Sequence, residues 1–159
     1  MTVKVQLKDF LKTGILNGIP FGITREELTK LLGETDWQHF TTTKDKYPSI
    51  YKYGRLEFYF DNKSKDARLD GICFQPISFP AENGLLKCNY NKWNKNTDIE
   101  KAKEFLKTNG IEFEEKLDKW DKETKSLLTE GKVNIYFDCQ QTPGLFLLHK
   151  AIRFLDEEI

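Results

Sequence analysis

Gly54-Arg55-Leu56-Glu57-Phe58-Tyr59-Phe60-Asp61 returns as Gly131-Lys132-Val133-Asn134-Ile135-Tyr136-Phe137-Asp138, at a constant offset of 77 (131 − 54). Gly, Tyr, Phe and Asp are identical between the two octads, Arg/Lys keeps its charge, and Leu/Val and Phe/Ile stay apolar. Only Glu57/Asn134 changes class. Leu56, Phe58 and Phe60 alternate with Glu57 and Tyr59, as Val133, Ile135 and Phe137 do with Asn134 and Tyr136. That period of two belongs to a half-buried strand. Two such strands at one spacing point to a duplication.

The same offset carries Gly33 onto Gly110, each closing a helix-like segment. Upstream stand Thr24-Arg25-Glu26-Glu27 and Thr97-Asp98-Ile99-Glu100, both of the Thr-x-x-Glu form that caps a helix start reciprocally. Leu28, Leu31 and Leu32 give the first helix its apolar face; Ile99, Ala102, Phe105 and Leu106 give the second one its own. The spacing from Thr97 to Gly110 predicts a second helix about one turn longer. Leu69 to Phe74 and His149 to Phe154 align at an offset of 80 through Ile72/Ile152 and Phe74/Phe154. A further short helix is expected over Leu7 to Thr13, where Leu7, Phe10 and Leu11 share one face. The expected class is α+β. Residues 1–76 form a first helix-plus-antiparallel-sheet unit, 77–96 a linker and 97–159 a second unit, packed as one body with the helices on one face of the sheet. The linker contains Pro80 and Asn83-Gly84, then Asn89 to Asn96, whose Trp93 is expected to pack on the second unit; Asp156-Glu157-Glu158 reads as a solvated tail.

Half of 159 residues makes a marginal core, so the units are expected to share one. Lys+Arg 25 against Asp+Glu 25 leaves no net charge, which argues against general nucleic-acid binding. Cys73, Cys88 and Cys139 have neither metal-ligand spacing nor an even number, and read as reduced thiols. No stretch approaches the length of a membrane span and the first residues lack an apolar signal core, so the expected location is the cytoplasm. His39 and His149 sit in no nucleophile or metal motif. Adjacent Glu26-Glu27 is explained by the helix start. The sequence therefore predicts no enzyme, no catalytic residues, no metal and no cofactor.

Ile19-Pro20-Phe21-Gly22-Ile23-Thr24 with Leu28, Leu31, Leu32 and Gly33 resembles the opening shared by beta-lactamase inhibitor proteins and small outer-membrane assembly lipoproteins. That resemblance implies tandem units, each a helical pair on a four-stranded antiparallel sheet, with the concave sheet face gripping a target protein. Pro48-Ser49-Ile50-Tyr51-Lys52-Tyr53-Gly54 with Leu56, Glu57 and Phe58 resembles a run in small bacterial proteins, some of them encoded beside polymorphic toxins as immunity proteins. Together they imply an antagonist that blocks a toxin or enzyme sterically; a generic interaction domain or, less so, a small enzyme are the alternatives. Strand parity then nominates a partner-binding face. Glu57, Tyr59, Asn134 and Tyr136 share it, the last strand adds His149 and Arg153, and Trp37 stands at its rim.

Overall fold

A computed structural model describes residues 2–77, 85–117 and 121–155. Pro80, Asn83-Gly84 and the acidic Asp156-Glu157-Glu158 lie outside the described residues. In chain order the elements are β1 (Val3–Gln6), α1 (Leu7–Thr13), α2 (Arg25–Leu32), β2 (Trp37–His39), β3 (Ile50–Tyr53), β4 (Leu56–Tyr59) and β5 (Gly71–Phe74). Then follow β6 (Leu86–Asn89), α3 (Ile99–Thr108), β7 (Phe113–Leu117), β8 (Thr124–Thr129), β9 (Asn134–Asp138) and β10 (Leu147–Phe154). The architecture is α+β.

Eight strands form one antiparallel sheet in the order β2-β3-β4-β5-β10-β9-β8-β7. Each octad supplies one of its inner strands, β4 or β9. The central seam is β5 against β10, where Ala151 opposes Phe74, Ile152 opposes Cys73 and Arg153 opposes Ile72. Directly opposed residues share a face. One row on a single face therefore runs Tyr53, Leu56, Phe74, Ala151, Ile135, Leu127, Glu115 across seven strands. Its apolar members, with Phe58, Ile72 and Phe137, are fully buried and belong to the main core.

Polar contacts link residues of this face to α3 and to the glycines that follow α1 and α2. The Tyr53 hydroxyl donates to the Gly33 carbonyl at the end of α2 (2.8 Å). Lys103 of α3 holds Glu115 at 2.8 Å. Arg153 donates to the Gly14 carbonyl (2.9 Å), just past α1, and stands over the Phe21 ring.

The helix ends follow from capping. Thr24 accepts from the Glu27 N–H and the Glu27 carboxylate accepts from the Thr24 N–H, which completes the reciprocal box. At α3 the expected box is not formed. Asp98, not Thr97, is the cap, its carboxylate accepting from the Lys101 N–H (2.8 Å). Thr97 is spent on the preceding turn, where its hydroxyl accepts from the Asn94 N–H and its carbonyl from the Leu148 N–H. A carboxylate also suits the positive helix end better than a hydroxyl. The two helices, of 8 and 10 residues, consequently differ by less than the expected full turn.

Two further expectations are corrected. The segment 77–96 is more than a linker, since it carries β6, which pairs in parallel with β1 (Val5 opposite Cys88). Trp93 is buried and meets Phe105 of α3 edge-on. The offset of 80 for the last strand is one residue too long: Ile72 lies on the core face, whereas Ile152 lies on the other, opposite Cys73. A bulge sets the face of Ile152, because both His149 and Lys150 are accommodated opposite Tyr136 and every later residue of β10 changes side.

The repeated glycines have different reasons. Gly54 supplies the left-handed turn before β4 (φ 61°), but in the second octad that conformation falls on Lys132 (φ 65°). Gly131 is required by close approach: a Cβ there would lie 2.5 Å from the Gly14 nitrogen and 2.9 Å from the Leu11 carbonyl oxygen. The end of α1 thus rests on the backbone of the second octad.

Phe58 is 0% exposed and packs edge-on against Tyr53, so Phe58→Ala is expected to cost about 3–5 kcal/mol in denaturant melts. Thr24→Ala and Asp98→Ala should each lose roughly 0.5–2 kcal/mol, while Thr97→Ala acts only through its turn. Equal losses from Thr97→Ala and Asp98→Ala, read in the same melts, would contradict the cap assignment.

Candidate functional site

Parity places the alternate residues on the face opposite the core row. A second continuous row there runs Trp37, Lys52, Glu57, Cys73, Ile152, Asn134, Leu128, Glu114 across all eight strands. Beside it stand Tyr59 on β4 and Tyr136 on β9. Of the seven residues nominated from the sequence, six are brought to this face. Arg153 is the exception: the bulge at His149 shifts the parity of β10, so that Arg153 faces the core and the end of α1.

The centre of the face is a buried polar cluster. Lys52 Nζ lies 3.4 Å from Glu57 Oε2, with both side chains nearly inaccessible. Glu57 Oε1 accepts from the Tyr59 hydroxyl (2.8 Å) and from the Gln75 amide (3.3 Å), and that amide also reaches Cys73 Sγ (3.7 Å). A buried carboxylate with three donors is a satisfied one. Burial, then the neighbouring Cys73 and Glu57, push the Tyr59 phenol well above its usual range. Burial foremost, then Glu57, pushes the Cys73 thiol up to about 12. Neither group is suited to act as a nucleophile or proton carrier near neutrality. The cluster is a rigid floor.

Accessible groups flank it on both sides. Trp37, 50% exposed at the sheet edge, stacks on His39 with ring centroids 5.3 Å apart. On the other side an open cleft of about 570 Å³ is lined by Ile152 and Phe154 together with Thr124, Gln140 and Gln141. His149 Nδ1 lies 3.6 Å from Asp138 Oδ2 over this cleft, and Lys150 Nζ stands 5.6 Å from the centre of the Tyr136 ring. Phe154 meets Tyr59 edge-on at 5.2 Å, which links cleft and cluster. Tyr59 is half-buried, so it supports the face more than it projects from it.

Sequence reasoning missed Lys52, Lys150 and Asp138. Lys52 could have been found by extending the alternation back through the Gly54 hairpin; Lys150 could not, because nothing in the sequence marks the bulge. Among the described residues no group of three or more His, Cys, Asp or Glu is arranged to hold a metal ion, and no helix is long and apolar enough to cross a membrane. Comparison of the chain with protein families, curated proteins and solved structures finds no match.

The Cys73 thiol predicts an alkaline weakness. The folded state keeps a proton that the unfolded chain releases near 9, so this contribution is complete below that pH and is lost as pH rises towards about 12. Cys88, pushed up to about 12 chiefly by burial, acts in the same sense. Urea melts at about pH 8 and about pH 11 should show a lower midpoint at the higher pH, with a smaller fall in Cys73→Ala. An equal fall in the variant would remove Cys73 from the account.

Proposed function

We propose that the chain is a cytoplasmic, non-enzymatic antagonist of immunity type, which blocks a toxin or enzyme by steric binding through the face carrying Trp37, Tyr136 and His149. We further infer that it is built from two tandem helix-plus-sheet units with their helices on one side. The strand registers support the second inference. Opposed pairs in β2-β3-β4-β5 transform into opposed pairs in β7-β8-β9-β10 at offsets of 77, 76, 77 and 79, with the Cys73–Ile152 pair at the pseudo-two-fold axis. The contacts of Tyr53, Glu115 and Arg153 with the three helix regions support the common side.

The observation that carries the binding reading is the division of labour on the opposite face. A buried, hydrogen-bonded floor is flanked by an exposed tryptophan and by an aromatic cleft with charged walls. A steric inhibitor requires such a preformed surface, because anchors held in place lose little entropy on binding. Tyr and Trp are also the residues that most often dominate interface energies. Resemblance to the inhibitor and immunity families points the same way.

The test is co-purification with the product of the neighbouring gene, followed by titration of the purified pair. Trp37→Ala and Tyr136→Ala are each expected to weaken binding by about 2 kcal/mol, roughly thirtyfold, with melting temperature unchanged. Undiminished affinity in the double variant would exclude this face as the interface.

A further inference from the structure

β7 ends the eight-stranded sheet, and among the described residues nothing pairs with its outer edge. The Glu130 N–H donates to the Glu112 carbonyl (2.9 Å), and the register continues with Glu114 opposite Leu128 and Lys116 opposite Ser126. Backbone groups alternate in direction along an antiparallel strand. Those of Glu112, Glu114 and Lys116 therefore point inward to β8, and those of Phe113, Glu115 and Leu117 point outward. Leu117 is 74% exposed, the most exposed of the large apolar residues described.

We propose that β7 pairs with β7 of a second copy, antiparallel and centred on Glu115, to form a weak dimer with one continuous sheet. The strand Phe113-Glu114-Glu115-Lys116-Leu117 is complementary to its own reverse. Centring on Glu115 places Phe113 opposite Leu117 of the second copy, and Glu114 opposite its Lys116, each pair occurring twice by symmetry. The outward backbone groups of residues 113, 115 and 117 then bond in matching register. Glu114 and Lys116 occupy the non-hydrogen-bonded positions, where opposed side chains come closest. The exposed Leu117 gains an aromatic neighbour.

Charges on an edge strand ordinarily discourage pairing. Here the pattern discriminates instead: any shift of register breaks the Glu114–Lys116 matches, whereas the centred register makes both. Only Glu115 meets its own kind across the axis. Each copy of it is already compensated by Lys103 at 2.8 Å, a contact that burial of the edge would strengthen. The other end of the sheet is less suited, since β2 has three residues. A five-residue edge lies below the area of permanent assemblies, so exchange between monomer and dimer is expected.

Sedimentation velocity on the full chain, from micromolar to millimolar concentration, reads the association directly. Glu114→Lys and Lys116→Glu should each weaken it by about tenfold or more, because two attractive pairs become two repulsive ones. An equimolar mixture of these two variants should associate as the wild type does, every Lys again meeting a Glu. Glu114→Lys combined with Lys116→Glu in one chain should do so by itself. Melting temperatures establish that all four proteins are folded; should a single variant not fold, the combined reversal still decides. Wild-type protein that stays monomeric throughout overturns the proposal. So does a dimer indifferent to the single reversals, and so does a mixture or combined variant that fails to regain association.

Discussion

The pairing of β5 with β10 is the constraint on which the rest depends. Each half of the chain alone is a four-stranded meander with a helix region, and a unit of that size buries too little surface to be comfortable alone. Joining the meanders through β5 and β10 removes one exposed edge from each and makes the seven-strand core row continuous. It also brings Arg153 beneath the end of α1 and Gly131 against Gly14. The first helix of the chain is thus held by residues from the far half, and the two halves of the chain touch through more than their sheet.

The face away from the core depends on the same seam. Cys73 and Ile152 are buried at its centre, and the polar cluster of Lys52, Glu57, Tyr59 and Gln75 lies to one side of them. A buried ion pair is a poor source of stability, but it punishes misregistration heavily, because shifting β3 by one residue would bury an unpaired charge. Lys52 opposite Glu57 therefore fixes the register of the hairpin that presents Trp37 at the edge.

Much of the sheet was legible because the relevant signals were local. The two octads, the Thr24 box and the Leu7 to Thr13 helix each declare themselves within eight residues or fewer. What escaped was set by partners distant in sequence. β1 and β6, of four residues each, have no alternation long enough to mark a strand, and among the described residues they pair with one another. Thr97 and Asp98 are both acceptable caps in isolation, and the turn from Asn94 together with Leu148 decides between them. The bulge at His149 reverses the outlook of everything after it on β10, which turns Arg153 to the core face although plain alternation along that strand predicts the other. Of the candidate face, the aromatic and polar alternates of the octads were readable; the floor beneath them was not.

The parallel pairing of β1 with β6 has a consequence for the order of events during synthesis. Val5 must wait for Cys88 to leave the ribosome before its ladder can form, and β5 must wait for β10. Both closures span about half the chain, which gives this topology a high contact order and places it among slow-folding antiparallel architectures. Meanwhile the first meander is complete but has a bare β5 edge and an undocked α1. That nascent species is the one most open to misassociation, and chaperone attention would fall on the first half of the chain while the second is still being made.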